Sequence, residues 1–512
     1  MSPGFACAGD QEGQLLGFEF ETGDRIGVYA VLEGVFVASN LCYEYSAERD
    51  AWTCVSPSDG KFYAEAAYYA YYPYSENNSW DVVLPEDGTV PDGTGFFSEL
   101  TAGWKPASDQ SSREAFRQSC LMTGYAETLS GNTAEFLMSP LTSVAAIELP
   151  MEYYSFTNED TNVPDYVINS PSDVVFSGDV RPCAVEDGKY LCSFLPEDVL
   201  SLSVSYRYGD SSSDWSGEAG PCEAGGCISV KVDGGHKVTE HLLCPGDFYL
   251  ADGRLLPKDA PSTEVAAADV IGIVYQIDPS RLDPALSEVL GDVHATVVST
   301  KEPVRPAGQE GRYTNLFPWF TSSGTSLSSR DETLIGFKNI EGYSLEATFN
   351  MADADFCGYL YNALIREKRS EDLASGMYPA FQAALDFGTI AGGPLDCAPA
   401  NSGWYLPSNG EWFDILRNLC GAELSLNENF VGSMTSMVSW GGQGLVASAL
   451  NESMSKVSDE DKDPIEVGQA WWTSSTAGLG SSRTISFNDE GYIHSHWQYK
   501  DLGFKVRMVL AF

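Results

Sequence analysis

The sequence predicts a mostly β protein of several domains whose C-terminal half mixes helices with strands. Aromatic residues make up 12% of the 512 residues, and there are 49 glycines, a composition typical of sheets joined by many turns. Runs rich in tyrosine, valine and isoleucine, bounded by glycine, proline or aspartate, predict short strands in the first half. After residue 244 the pattern changes. Four segments there place apolar residues three and four positions apart, which predicts helices: 355–368, 379–386, 410–419 and 444–455.

Length and charge narrow the class of protein. At about 150 residues per domain, this length predicts three or four domains. The chain carries 73 acidic and 29 basic residues, a formal net charge of −44. Such a field repels phosphate backbones, so we expect no nucleic-acid partner. No stretch reaches the roughly 20 apolar residues of a membrane helix.

The stretch from Gly23 to Tyr74 is the most informative part of the N-terminal half. It opens with GDRIGVYA and closes with KFYAEAAYYAYYPY. The tyrosine run at 68–74 is interpreted as a core strand whose second face lies under a loop, because it is apolar and aromatic on both alternating sides. The alternative is an exposed adhesive surface.

These two motifs resemble the opening domain of the fimbrillin family, which comprises pilus subunits and surface lipoproteins of Gram-negative bacteria. DQSSREAFRQSCLMTG (Asp109–Gly124) resembles the element that follows the tyrosine strand, with Cys120 where the family usually has aspartate. We expect the Cys120 thiol to be packed rather than reactive. The segment near Gly234–Val238 resembles the last strand of the family's second domain. The resemblance implies two tandem fimbrillin-like (transthyretin-like) β-sandwiches, at 15–155 and 156–244.

The C-terminal half carries a second set of motifs. In order they are GDFY from Gly246, GWYLPSNGEW (Gly403–Trp412), AWWTSST (Ala470–Thr476) and the terminal FKVRMVLAF. Ser408, three residues before Glu411, predicts a capping box at the start of a helix. The set resembles a module of bacterial surface proteins whose fold is similar to C-type lectins and formylglycine-generating enzymes. It implies an α+β, C-type-lectin-like domain at 245–512.

Residues 1–14 are interpreted as a truncated signal and linker. Ala6 before Cys7, followed by acidic residues, resembles the end of a bacterial lipoprotein signal peptide, and this makes Cys7 the candidate lipidation site. The alternative is an ordinary cysteine near the terminus. Pilins of the family are cut at a basic residue to free the groove that accepts a strand. Arg25, the first basic residue after Cys7, is therefore the candidate processing site.

Cysteine spacing suggests disulfides rather than a zinc site. Cys183 and Cys192 flank an Asp-Gly turn, so the sequence predicts a bridge across that hairpin. Cys42 with Cys54, and Cys222 with Cys227, could pair likewise. No CxxC pair occurs, so structural zinc has no support from spacing.

Calcium is the one cofactor that the sequence leaves open. Asp459, Asp461 and Asp463 have the D-x-D-x-D spacing of a calcium loop, but Pro464 and Ala470 stand where an EF-hand needs glycine and a bidentate acid. This excludes an EF-hand and leaves a looser calcium site. The alternative, a solvated acidic loop, is favoured because runs of charge are usually solvated.

The candidate binding surface lies near the C-terminus. His494 and His496 share one face of a predicted strand. The turn Asn488-Asp489-Glu490, with Tyr492 and Trp497, completes the set. Aromatic rings beside polar side chains can stack on the apolar C–H faces of a sugar. The other tryptophans of the module are predicted to be core residues: Trp404, Trp412, Trp471 and Trp472.

The sequence lacks the serine-hydrolase, HExxH, Walker and dinucleotide motifs, and no cysteine follows Cys420 for formylglycine generation. We therefore expect a non-enzyme. The resemblance implies a cell-surface adhesin, a fimbrial tip subunit with other fimbrillin subunits and a glycan or protein as its partners. The alternative is a non-polymerising outer-membrane lipoprotein that binds such a ligand. An enzyme on the lectin-like fold is a third, weaker hypothesis.

Overall fold

The computed structural model describes residues 4–8, 15–57, 63–76, 82, 93–126, 133–157, 163–305, 315–321, 345–390, 400–430, 437–478 and 480–512. Strands predominate within these ranges, as the sequence predicts. Contacts divide the chain into two units. One comprises residues 1–152 with 167–238, and the other comprises residues 153–166 with 239–512.

Short strands bounded by turns make up most of the described chain as far as residue 241. The strands are β1 Gly4–Ala8, β2 Leu15–Gly17, β3 Arg25–Leu32, β4 Val35–Ser46, β5 Ala51–Cys54, β6 Ala67–Tyr72, β7 Met122–Ala126, β8 Ser139–Pro140, β9 Ser143–Glu148, β10 Met151–Phe156, β11 Tyr166–Asn169, β12 Pro171–Gly178, β13 Cys183–Glu186, β14 Lys189–Phe194, β15 Leu200–Tyr208, β16 Ser211–Ala219, β17 Gly226–Lys231 and β18 His236–His241. The α-helices are α1 Gly93–Phe96, α2 Ser98–Gly103 and α3 Arg113–Ser119.

The first unit contains three sheets, and hydrophobic cores lie on both faces of the middle one. Their strand orders are β5-β4-β3-β6-β7-β8, β13-β14-β9-β17-β1-β2 and β12-β15-β16. Successive side chains of a strand point to opposite faces. In β9, Val144 packs into the core that contains Phe18, and its neighbour Ala145 packs into the core that contains Leu202. The sheet that contains β9 therefore has a hydrophobic core on each face.

This arrangement differs from the two tandem sandwiches predicted with a boundary at 155/156. Strands β14 and β17, expected in the second sandwich, flank β9 of the expected first one. The β17–β9 pair is parallel. A parallel pair joins segments distant in sequence, and strand patterns alone do not reveal such a pairing. The central sheet is thus shared by both predicted domains, which form one compact unit.

The tyrosine run forms a buried strand, as predicted. All six residues of β6 are buried. Tyr69 and Tyr71 pack with Phe96, Phe97 and other aromatic residues, and the ring of Tyr69 stacks on Phe96 at a centroid distance of 3.7 Å. The second face of β6 is therefore covered by the segment of α1 and α2 rather than by the predicted loop.

The predicted Cys183–Cys192 bridge is wrong for the structure. Both cysteines are free, and Cys183 lies opposite Leu191 in the β13–β14 pair. One residue of offset turns the two side chains to opposite faces, so Cys183 packs in one core and Cys192 in the other. The other suggested pairs also fail, since three of their members are free: Cys42, Cys54 and Cys222. Cys227 is disulfide-bonded, and Cys120 is fully buried, as expected.

The second unit mixes helices and strands, as predicted. Its later strands are β19 Phe248–Leu250, β20 Leu255–Leu256, β21 Val270–Gln276, β22 Thr296–Ser299, β23 Phe317–Pro318, β24 Met437–Trp440, β25 Ala470–Thr476, β26 Ser481–Phe487, β27 Ile493–Tyr499, β28 Gly503–Phe504 and β29 Val509–Ala511. Its helices are α4 Ser262–Ala267, α5 Ser287–Leu290, α6 Leu345–Asp353, α7 Gly358–Lys368, α8 Ser370–Ala374, α9 Pro379–Ile390, α10 Asn409–Cys420 and α11 Val446–Ser453. The four predicted helical segments correspond to α7, α9, α10 and α11.

Two sheets organise this unit, with strand orders β20-β19-β21-β22-β29 and β24-β27-β26-β25, beside the short pair β23-β28. Helix α10 begins with the predicted capping box, in which Ser408 and Glu411 satisfy each other's backbone N–H groups. The four motif tryptophans are buried, as predicted. Among the described residues, the longest helices are too short to cross a membrane.

Candidate functional site

The predicted binding residues lie on and beside β27, the second strand of the β24-β27-β26-β25 sheet. His494 lies opposite Ser439 of β24 and Ser486 of β26, and His496 lies opposite Thr484 of β26. On the other face of the strand, Ile493 is completely buried. The alternation therefore turns both histidines away from the buried face of this sheet, as the sequence predicted.

The turn Asn488-Asp489-Glu490-Gly491 joins β26 to β27, as predicted. The Asn488 side-chain oxygen accepts hydrogen bonds from the backbone N–H groups of Glu490 and Tyr492, at 3.1 and 3.0 Å. Gly491 has φ +79°, a conformation that favours glycine. Asn488 is thus engaged in holding the turn, whereas the side chains of Asp489 and Glu490 are exposed.

A row of aromatic rings follows β27. Tyr492 and His494 lie parallel within 3°, with ring centroids 6.0 Å apart. His496 and Trp497 lie within 14° of parallel at 5.8 Å, and Tyr499 meets the edge of Trp497 at 5.4 Å. The first four rings are half-buried, and Tyr499 is 52% exposed. By alternation, His494 and His496 point to one face of β27, and Trp497 and Tyr499 point to the face of Ile493. The five residues, Tyr492 included, are called the ring row below.

Hydrogen bonds orient both imidazoles. Ser439 Oγ lies 2.8 Å from His494 Nδ1, and the Gln498 side-chain amide donates to His496 Nδ1 at 2.9 Å. Burial lowers the pKa of His494, and burial together with the charge of Arg483 lowers the pKa of His496. Both imidazoles are therefore neutral at neutral pH, and His496 offers its Nε2–H as a donor.

Three residues that adjoin the predicted set were missed in the sequence: Tyr499, Gln498 and Ser439. Tyr499 lies two positions beyond Trp497, so the same period-two reasoning would have found it. Gln498 follows His496 in the same way. Ser439 lies on another strand, and only the register of β24 against β27 brings it to His494.

The three aspartates proposed for calcium do not converge. Asp459 pairs with Lys462 at 3.1 Å, and Asp461 accepts from Ser458 at 2.8 Å. Asp463 accepts the backbone N–H of Glu302 at 2.8 Å. In the described part of the chain they do not form a group of carboxylates close enough to share one ion.

The N-terminal candidates lie in paired strands. Cys7 lies in β1, opposite the disulfide-bonded Cys227 in the parallel register. Arg25 opens β3, where its backbone carbonyl accepts the N–H of Tyr74 at 2.9 Å and its side chain pairs with Glu44 at 2.7 Å. Proteases cut backbone that is exposed and free of such hydrogen bonds, so cleavage at Arg25 requires local opening.

Two buried carboxyl groups have raised pKa values, and their hydrogen bonds are to other side chains and backbone groups of the fold. Burial raises the pKa of Glu411 to about 8 and that of Asp355 to about 6. Glu411 is 3% exposed and accepts from Ser408 and Tyr405, while Asp355 accepts from Ser475 at 2.5 Å. A shifted pKa marks a catalytic acid only where a substrate can reach it, and these carboxyls are enclosed.

The comparisons with known proteins agree with the resemblance of the N-terminal motifs. No family model matches the chain. The chain is 24% identical over 422 residues to a protein of Bacteroides ovatus named "Putative fimbrium tip subunit Fim1C", covering 77% of this chain and 74% of that protein. A crystal structure of a fimbrial protein from Bacteroides ovatus aligns over all of both chains, with 21% identity and a TM-score of 0.42. The sequence similarity thus supports a relationship to Bacteroides fimbrial proteins, the group that the N-terminal motifs resemble.

Proposed function

We propose that this protein is a cell-surface adhesin at the tip of a fimbria, and that its C-terminal unit binds a glycan through the ring row. The similarity to a protein named as a fimbrium tip subunit supports the fimbrial part of the proposal. The row of half-exposed rings on β27 is the observation that carries the binding part.

The chemistry of the ring row suits a sugar. An aromatic face packs against the apolar C–H face of a pyranose, while neighbouring donors and acceptors bind its hydroxyls. Tyr499, which is exposed, and Trp497, which is half-buried, supply the apolar surface. His496 supplies a neutral N–H, and Asp489 and Glu490 supply acceptors at the end of the strand. The second class of ligand is a protein that presents an exposed segment with an aromatic side chain. The glycan array described below distinguishes the two classes.

The proposed C-terminal module is lectin-like. The motif order from Gly246 to Phe512 resembles that module, and the unit's two antiparallel sheets with α7 and α10 are compatible with it. The last strand of this unit, β29, is already packed within it. It pairs with β22, and Phe512 stacks on Tyr249 at 4.9 Å. This segment is therefore part of a core rather than free to insert into another subunit.

The acceptor role is proposed for the N-terminal unit. In its central sheet, β1 lies between β2 and β17. Removal of both N-terminal strands would leave β17 as an edge with unpaired backbone groups, and an extended strand from another subunit could pair there. A subunit whose β17 edge accepts a strand while its own β29 stays packed in its core suits the end of a fibre.

The alternative function is an anchored lipoprotein that does not polymerise. The paired backbone around Arg25 favours it, because uncut β1 and β2 would keep the edge of β17 covered. Lipidation at Cys7 and an outer-membrane location would accompany this alternative. Acylated Cys7 on the mature protein would favour it over the tip subunit.

A glycan array probed with the full chain and with a Trp497→Ala variant tests the binding part. We expect selective glycan signals that the variant loses while its melting temperature is unchanged. Signals equal in both proteins would overturn the assignment to the ring row. Absence of glycan signals, with binding to host or bacterial surface proteins that depends on Trp497, would replace the glycan with a protein ligand.

A further inference from the structure

A second group of chemically active side chains lies where the chain enters the second unit. His241 ends β18, and the segment Leu242-Leu243-Cys244-Pro245-Gly246 leads to Asp247. The imidazole Nε2, the Cys244 Sγ and a carboxylate oxygen of Asp247 all lie within 4.8 Å of one another. Among the described residues, this is the one such group of three metal-ligating side chains.

We propose that His241, Cys244 and Asp247 bind a divalent transition-metal ion of the zinc class. Cys244 Sγ lies 3.8 Å from His241 Nε2 and 3.7 Å from Asp247 Oδ1, and Nε2 lies 2.9 Å from the same oxygen. Tetrahedral zinc with ordinary bond lengths separates such ligand atoms by about 3.3 to 3.6 Å. Movements of a few tenths of an ångström would therefore complete three corners of a tetrahedron.

The carboxylate is already held in place for this role. The backbone N–H groups of Lys258 and Cys244 donate to Oδ1 and Oδ2 of Asp247, at 2.9 and 2.8 Å. Each bond uses one lone pair of its oxygen and leaves another for a ligand. The backbone of Asp247 is anchored as well, since its carbonyl accepts the N–H of Val274 in β21 at 2.8 Å.

The imidazole is also positioned by its surroundings. Its ring packs edge-to-face against Phe156 at 5.3 Å, and the His241 carbonyl accepts the N–H of Thr157 at 3.0 Å. Asp247 is completely buried, whereas His241 and Cys244 are partly exposed. The fourth coordination position would therefore be on the side of these two exposed residues, where water can reach it.

A Cys-His-Asp nucleophile does not fit the same geometry. In a catalytic triad one ring nitrogen faces the nucleophile and the other faces the acid. Here Nε2 of His241 faces both Cys244 and Asp247. One nitrogen cannot take a proton from sulfur while it donates to the carboxylate, but it can be one of three ligands to an ion. Thiolate and imidazole also select zinc-class metals over calcium.

Cobalt(II) titration of the reduced full chain tests the proposal. We expect saturation at one equivalent, the visible bands of tetrahedral cobalt and a thiolate-to-metal band in the near ultraviolet. Zinc should displace the cobalt and raise the melting temperature.

The variants Cys244→Ser and His241→Gln separate this site from other thiols. Cys244→Ser should abolish the thiolate band, and His241→Gln should weaken binding by at least about tenfold. Cys420→Ser, which changes another partly exposed free cysteine of the unit, should bind as the wild type does. Lack of saturable cobalt binding in the folded wild type, or an undiminished thiolate band in Cys244→Ser, would overturn the proposal.

Discussion

The side-chain amide of Gln498 donates a hydrogen bond to Nδ1 of His496, with a separation of 2.9 Å. Because Nδ1 accepts, the neutral imidazole carries its proton on Nε2. The ring lies nearly parallel to Trp497. Gln498 thus selects the tautomer of His496, whose Nε2–H is a proposed donor to the ligand. The same hydrogen bond keeps this imidazole beside Trp497, the largest apolar ring of the row.

Loss of the Trp497 ring should weaken ligand binding without unfolding the protein. The ring is partly exposed, so Trp497→Ala removes stacking surface, while Ile493 and Ser495, the completely buried residues on the same face of β27, are unchanged. We expect an affinity loss of at least tenfold, about 1.4 kcal/mol, measured by calorimetry with the best glycan from the array. Tyr63→Ala, at a 41% exposed tyrosine of the first unit, should bind normally. Equal affinity in all three proteins would contradict the role of Trp497.

The two histidines should titrate below the ordinary value. Burial lowers the pKa of both from 6.5, so the unfolded chain binds these protons more readily than the folded one. Their contribution to stability is present above about pH 6.5 and is lost as the pH falls through the lower folded pKa values. NMR titration of the imidazole C–H signals, assigned with His494→Gln and His496→Gln, checks this. Midpoints above 6.5 would contradict it.

The contribution of Glu411 to stability should depend on pH in the opposite sense to that of the two histidines. Burial raises its pKa from 4.5 to about 8, so its favourable contribution is full below pH 4.5 and is lost as the pH rises through about 8. Glu411→Gln keeps an acceptor for the Ser408 N–H and removes the titration. Denaturant unfolding should therefore show the wild type losing stability relative to this variant between pH 5 and 8.

Two further variants control the Glu411 experiment. Glu411→Ala leaves the Ser408 N–H without its acceptor and should cost about 1–3 kcal/mol. Glu423→Gln, at an exposed acid of the same unit, should follow the wild-type pH dependence. Parallel pH curves for the wild type and Glu411→Gln would show that Glu411 keeps an ordinary pKa.

Asp24 should protect the neighbouring Arg25 from proteolysis. Its carboxylate forms a buried ion pair with Arg117 and accepts from Tyr72 at 3.0 Å. Removing one member of a buried pair costs about 3–5 kcal/mol, so Asp24→Asn should loosen the segment before β3. Limited trypsin digestion, read by mass spectrometry, should cut at Arg25 at least about tenfold faster in Asp24→Asn.

Asp50→Asn is the matched control for that digestion, because Asp50 lies in the turn before β5, where it accepts from Tyr45. It should be cut at the wild-type rate. Rapid cutting of the wild type at Arg25 would show that the pairing around β3 does not protect this site, and would favour Arg25 as the processing residue.

The sequence predicted what local patterns determine. The buried strand at Tyr68–Tyr72, the capping box of Ser408 and Glu411, and the 488–491 turn each depend on residues close in the chain. Pairing between distant segments was missed. The parallel β17–β9 contact merges the two predicted sandwiches into one unit, because register across a sheet has no local signature.

The candidate functional residues were also predicted only where local patterns determine them. The residues of β27 were found by alternation, but Ser439 comes to His494 only through strand pairing. Cys183 and Cys192 looked like a hairpin bridge, yet an offset of one residue turns them to opposite faces. His241, Cys244 and Asp247 were missed because their spacing is not that of a known metal motif.

Immunogold electron microscopy of native cells, with antibody against residues 246–512, tests the central claim most directly. A strain lacking this chain provides the control for antibody specificity. We predict gold particles at the free ends of surface fibres. Gold distributed over the cell body without fibres would contradict the tip assignment and leave the anchored binding lipoprotein as the function.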